Sequence, residues 1–262
     1  VTSIGTGAFE GCLSLTSAFI PDSVTLLANG VFAYCRNLTS IEIPGSITSL
    51  DATFYNCEKL TSVTLHEGVE ELGYNVFYNC TSLTEIFIPN SVTEIYEGAF
   101  DSCVSLTSVS IGNGVTDIGG NAFANCVNLE CFCVDEGNNS FSSDTDGVLY
   151  NKDKTELVQC PSAYTGSFEV PNGVTKIGYT AFAYCTRLSS VLIPSSVIDI
   201  DSNAFCYTYG FAIEGGNYYV RPADGAAAVS EILVSEDNAV FSSDNGVLYN
   251  KSNYTMITRF FP

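Results

Sequence analysis

Tryptophan is absent from this 262-residue chain, histidine occurs once, at His66, and Lys and Arg together number only 9 against 29 Asp and Glu. A single histidine removes most routes to histidine-dependent acid–base chemistry and to a His-rich metal site. The formal net charge of −20 repels phosphate backbones and anionic lipid heads, which excludes nucleic acid and membrane surfaces as partners. No apolar run reaches the roughly 18 residues that a membrane-spanning helix needs. The opening Val1-Thr2-Ser3-Ile4-Gly5 has neither the basic nor the apolar region of a signal peptide. Zinc-type C-x-x-C spacing is missing as well. These absences point away from an enzyme, a cofactor or a metal site. What is plentiful is apolar material, 46% of residues against 15% charged, the composition of a chain with a core rather than of a disordered one.

That material is arranged periodically. The motif Ala/Val/Thr-Phe-x-x-Cys occurs at Phe9, Phe32, Phe54, Phe77, Phe100, Phe123 and Phe182, with its cysteine at Cys12, Cys35, Cys57, Cys80, Cys103, Cys126 and Cys185. The Phe spacings are 23, 22, 23, 23, 23 and 59, and an eighth landmark, Phe205, follows Phe182 by 23 without a cysteine three residues on. Between motifs the text is equally regular. Leu38, Ile41 and Ile43 alternate like a short strand that Pro44 stops, and they fit the L-x-x-L-x-L phrase of a leucine-rich repeat. Ile47, Leu50, Phe54 and Cys57 then return the chain through a tight Gly- and Asn-rich arc. One such coil buries too few side chains to offset the entropy of ordering it, so only stacking makes it stable.

The phrase LTSIEIPGSITSLDATFYNCEK, with proline after the strand and Phe-x-x-Cys at the turn, resembles the BspA-like, or Treponema-type, leucine-rich repeat family, and the resemblance covers almost the entire chain. It implies a leucine-rich repeat solenoid of the α/β horseshoe class, mostly β with short helical turns. About eight 23-residue coils with a parallel concave sheet are expected. The resemblance further implies a secreted or surface-displayed protein of a host-associated bacterium or protist, engaged in adhesion to host matrix proteins, host cells or other microbes.

Two kinds of interruption break the register. Phe141-Ser-Ser-Asp-Thr-Asp-Gly-Val-Leu-Tyr150-Asn-Lys returns as Phe241-Ser-Ser-Asp-Asn-Gly-Val-Leu-Tyr249-Asn-Lys, one residue shorter. The turn signals Asp146-Gly147 and Asn245-Gly246, followed by Val148–Asn151 and Leu157–Cys160, predict β-hairpin insertions at about 135–170 and 234–262. A loop insertion is expected at about 207–230. The whole of 1–262 reads as one solenoid domain. It starts and stops inside a coil, so it is expected to be a fragment whose signal and anchor lie outside it.

The ladder cysteines read as buried thiols packing like small hydrophobes. Cys131 and Cys133 share one side of their strand, and both pairing with Cys160 and remaining exposed stand open. His66 follows Leu65 where most coils have proline and reads as a solvated turn residue. Asp144-x-Asp146-Gly147 resembles a calcium loop in two of its acids but lacks the third acid and the closing Glu, so a hairpin turn explains it better.

Repeat proteins bind through their extended strand surface. Its outward positions run Phe19, Glu42, Thr64, Phe87, Ser110, Cys133, Glu169, Leu192 and Leu233. Phe19, Glu42, Thr64, Phe87, Ser110 and Leu192 are the binding candidates, because exposed aromatic anchors suit protein recognition, although β-propensity alone also places such side chains there. Tyr207, Tyr209, Tyr218 and Tyr219 crowd the second insertion as a contact loop or a lid. The expected function is non-catalytic protein binding or adhesion by a monomeric surface or secreted protein, with a host matrix or cell-surface protein as ligand. A carbohydrate-binding module and a passive spacer are the alternatives, and the lack of tryptophan weakens the former.

Overall fold

In the computed structural model, which describes residues 1–206, 210–214, 217–221, 231–244 and 247–259, the strand phrase of each coil forms a short parallel strand. Two compact units follow one another along the chain, Val1–Gly147 and Val148–Pro262. In the first unit Ser17–Ala18, Ser40–Ile43 and Ser62–Leu65 form one parallel set, and Glu85–Ile88, Ser108–Ile111 and Cys131–Val134 another. The register steps by one coil each time, Glu42 lying opposite Thr64 and Ser110 between Phe87 and Cys133. A second line of two-residue strands, Ser49–Leu50, Glu71–Leu72, Glu94–Ile95 and Asp117–Ile118, is also parallel.

Alternation decides which side chains enter the core. In the coil that begins at Leu38, that residue together with Ile41, Ile43, Ile47, Leu50, Phe54 and Cys57 is at most 3% exposed. The Phe landmarks stack on one another. From Phe9 through Phe32, Phe54, Phe77 and Phe100 to Phe123, successive ring centroids lie 5.2–5.8 Å apart with planes within 20°. Phe132, from a strand instead of an arc, meets Phe123 edge-on at 5.2 Å.

The cysteine ladder does more than fill space. From Cys35 to Cys126 each rung thiol donates to the carbonyl of the Phe one coil earlier, Cys57 to Phe32 O at 3.1 Å, Cys80 to Phe54 O at 3.3 Å and Cys103 to Phe77 O at 3.1 Å, while Cys185 reaches the carbonyl of Cys160 instead. The same Phe carbonyl accepts the backbone N–H of its own coil's cysteine, as Phe54 O does from Cys57. A Phe carbonyl thus closes one turn and ties down the next coil. S–H···O bonds are weak, but here they recur over five successive rungs.

The short helical turns expected in the arcs are absent: the described residues contain no helix. Each arc is a chain of single turns, Ala52 O accepting from Tyr55 N and Phe54 O from Cys57 N. The reason is backbone handedness. The residue before each ladder cysteine is left-handed, with φ of 59° at Asn56, 56° at Asn79, 63° at Ser102 and 53° at Asn125, and so is the residue four places earlier, including Ala52, Asn75 and Asn121. Left-handed residues occur singly and cannot propagate a right-handed helix. They also turn alternate amides toward the next coil, Phe54 N donating to Val76 O and Asn56 N to Tyr78 O.

In the second unit Gly166–Glu169, Leu188–Ile193 and Glu231–Val234 are parallel. The predicted hairpin is present, Leu149–Asn151 pairing antiparallel with Glu156–Gln159, which in turn runs parallel to Lys176–Ile177. Its later copy forms an antiparallel meander of Phe241–Asp244, Val247–Asn250 and Met256–Arg259. Asn245 and Gly246 lie outside the described residues. The second insertion, expected as a loop, contains a hairpin of Gly210–Glu214 and Asn217–Arg221. The row of parallel strands that follow the arcs has six members in the first unit and three in the second among the described residues, one more than the eight Phe landmarks. Cys160 accounts for the extra coil. Its amide donates to Ala181 O as that of Phe77 does to Ala99 O, so it stands where a ninth Phe would.

Two asparagines missed by the periodic reading fix the coils that carry hairpins. Asn138 is fully buried; its Nδ2 donates to Gly112 O and Val115 O, and its Oδ1 accepts from the amides of Ser140 and Phe141, all at 2.8–3.0 Å. Asn238 repeats the wiring with Pro194 O, Val197 O and the amides of Val240 and Phe241. The clue lies in the sequence three residues before Phe141 and Phe241.

Candidate protein-binding face

Inward Ile and Leu on each long strand force the intervening side chains outward. In the first unit strand register sets Glu42 beside Thr64 in one parallel set and Ser110 between Phe87 and Cys133 in the other, and Phe19 follows Ala18, the partner of Ile41. Phe19 is 87% exposed and Phe87 61%, well beyond what a strand residue needs for packing. In the second unit the corresponding row holds Glu169, Leu192 and Leu233, with Leu192 opposite both others. Tyr207 and Tyr209 lie outside the described residues. For Tyr218 and Tyr219 the structure gives only backbone register, opposite Ile213 and Ala212.

The first three row positions meet in a shallow depression of about 570 Å³, lined by Phe19, Glu42 and Thr64 together with Asp22, Pro44 and His66. His66 stays exposed just past the strand end, as the solvated-turn reading expects. Its backbone N–H donates to Ile43 O, a bond that proline in the equivalent place cannot make, and its Nε2 lies 3.9 Å from Glu42 Oε2. Counting two residues on from Thr64, the partner of Glu42, would have found this contact.

Outside the row, the short-strand line of the first unit carries Glu71, Glu94 and Asp117 in direct register. Tyr96 hydrogen-bonds to Glu94, and the bond holds its phenol up to about 12. Asp101 is half-buried in an arc; burial raises its carboxyl above the usual range, partly offset by the Ser102 hydroxyl donating to it at 2.8 Å.

None of the eleven cysteines is joined to another by a disulfide. Burial pushes Cys57 up to about 12 and raises Cys80, Cys103 and Cys126 as well. A thiol reacts as thiolate, so these buried rungs are chemically quiet. Cys131 and Cys133 differ, being half-buried and exposed, with their sulfurs 3.7 Å apart. Burial, the hydrogen bond to Cys133 and mutual repulsion hold Cys131 up to about 11. Cys160 is buried and contacts the Pro161 carbonyl. Among the described residues no three His, Cys, Asp or Glu side chains converge on a common metal position, and no helix is long and apolar enough to cross a membrane.

Stacked coils, most of 22–23 residues, that repeat one parallel strand, a stacked Phe and a thiol rung define a leucine-rich repeat solenoid. The family described as BspA type leucine rich repeat region matches in six copies over residues 2–130 and 159–213, and the chain belongs to that family. Among solved structures it is similar to a leucine-rich repeat protein from Eubacterium ventriosum, 25% identical with a TM-score of 0.61 over 71% of this chain and 56% of that one. It is also similar to a leucine rich cell surface protein from Faecalibacterium prausnitzii, 29% identical with a TM-score of 0.55 over 78% and 62%. A leucine-rich repeat protein from Bacteroides ovatus, at 22% identity and a TM-score of 0.55 over 90% and 65%, shares the fold. This chain therefore spans less than two thirds of the length of each. No curated protein matches it significantly.

Proposed function

We propose that this chain is a non-catalytic binding module of a secreted or surface-displayed protein, and that it recognises a protein partner, such as a host matrix or cell-surface protein, through the outward row of its long strands. The carrying observation is the exposure of Phe19 and Phe87, Phe87 on a strand paired with its neighbour and Phe19 directly after one. Large apolar side chains presented from a fixed frame lose little entropy on binding and serve as anchors. Support for the location comes from the F. prausnitzii relative, which is described as a cell surface protein. The monomer suffices for this role.

Arrays of matrix proteins and glycans test the reading. Saturable binding to a protein is expected, weakened about tenfold or more by Phe87→Ala, the loss typical of an anchor side chain. The melting temperature should stay unchanged because the ring is mostly exposed. Binding to glycans alone would replace this reading with a carbohydrate-binding module, and silence on both arrays would leave a spacer.

A further inference from the structure

We propose that Cys131 and Cys133 form a bidentate thiolate clamp for a zinc-sized, thiophilic dication on the outward row of the first unit. The two residues alternate on one strand and so share a face, and their sulfurs are already 3.7 Å apart. A tetrahedral zinc with Zn–S bonds of about 2.3 Å requires its sulfurs about 3.8 Å apart. The pair therefore spans one edge of that tetrahedron with no backbone movement.

The alternative product, a Cys131–Cys133 disulfide, fits less well. Alternate Cα atoms of an extended strand lie about 6.6–6.8 Å apart, at the outer limit for a disulfide, whose Cβ atoms must also close to about 3.8 Å. This strand has no slack to give. Cys131–Val134 pairs in full register with Ser108–Ile111 on one side. On the other, Phe132 N donates to Gly147 O at 2.9 Å, and Gly147 packs so tightly that a Cβ there would collide with Cys131. Pulling the sulfurs into bonding distance would break one of these contacts.

Binding is a proton exchange in which two S–H bonds break, two S–Zn bonds form and two protons leave to solvent. The dication also relieves the repulsion that the two thiols exert on each other when ionised. Two coordination positions stay with water, because no third ligating side chain converges there among the described residues. The site is accordingly open and exchangeable, unlike a closed structural zinc site. Exposure of Cys133 leaves it accessible, and the acidic surface enriches cations near it.

The test uses the full chain, reduced with a phosphine and freed of metal, titrated with Zn²⁺ against a chromophoric chelator, and with Co²⁺ to follow thiolate charge-transfer absorption. One ion per chain and two released protons are expected. Cys131→Ser and Cys133→Ser should each weaken zinc binding about tenfold or more, as loss of half the thiolate set requires, while Cys12→Ser, at another exposed thiol, changes nothing. Circular dichroism checks the fold of each variant. Absence of stoichiometric binding, or binding indifferent to both clamp substitutions, would overturn the proposal. So would ready formation of a Cys131–Cys133 disulfide by oxidised glutathione with the strand signal intact. The arrays that test the protein-binding role do not bear on it.

Discussion

Asp101 shows how a single side chain in the arc shapes stability against pH. Its folded carboxyl is raised above the ordinary value of 3.8, mainly by burial, so in the window between that value and the raised one the folded protein holds a proton that the unfolded chain has lost. Stability then falls as pH rises through the window, and the penalty is fully present at neutral pH. Asp101→Asn keeps the shape and removes the charge. The variant should be more stable at pH 7 by on the order of a few tenths of a kcal/mol, solvent screening keeping the gain small, and the two proteins should converge near pH 3. Urea midpoints from pH 3 to 7 check this, and a gain that persists at low pH would mean that the charge is irrelevant. The thiol rungs make a similar point at the same scale. Their role as small apolar fillers was legible from the spacing of Cys57, Cys80 and Cys103, whereas their donation to Phe carbonyls was not, since it depends on where an arc carbonyl points.

At the scale of elements, the coils that carry hairpins depend on one side chain each. Asn138→Ala would strand the amides of Ser140 and Phe141 and the carbonyls of Gly112 and Val115. A cost of about 3 kcal/mol is expected, several buried groups losing their partner at once. Exposed Asn139→Ala next to it should cost less than about 0.5 kcal/mol, and chemical denaturation of both variants makes the comparison. Equal costs would show that the buried amide is not what fixes the turn. Strands and core were legible because both have a period: two for Ile41 and Ile43, 23 for Phe77 and Phe100. The hairpin at Leu149–Gln159 was legible from its turn residues. What lacks a period escaped. Asn138 acts through four backbone partners that no spacing reveals, Cys160 sits in a Phe position without resembling one, and the left-handed residues that exclude helix from the arcs are as varied as Asn56, Ser102 and Ala52. The outward row was legible from alternation, but the approach of His66 to Glu42 required alternation to be carried beyond the strand end.

For the whole molecule, the excess of acids is the dominant long-range force. With 29 acids and 9 bases, pairs such as Arg36–Glu58 at 3.2 Å and Lys176–Glu156 at 2.8 Å can neutralise only a small part of it. Glu71, Glu94 and Asp117 stand in adjacent register, where like charges destabilise a sheet. Shortening the Debye length from about 30 Å to about 8 Å with physiological salt should therefore stabilise the fold. The expected rise in melting temperature is roughly 2–4 °C, equivalent to about 1 kcal/mol at this chain length. Calorimetry in low and physiological NaCl measures it, and an unchanged or lower midpoint would show that the acids are too dispersed to matter. The hydrogen bonds between coils have a different consequence. The thiol of Cys80 reaches Phe54, the amide of Phe54 reaches Val76, and Glu42 faces Thr64, so these bonds wire a coil to its immediate neighbours. A gene encoding such a chain can gain or lose a segment of one whole coil, and the new neighbours inherit the same set of bonds. The 22-residue step from Phe32 to Phe54 beside steps of 23 shows that the stack accommodates a coil one residue shorter than its neighbours. Length is thus the property of this architecture that recombination can change most freely.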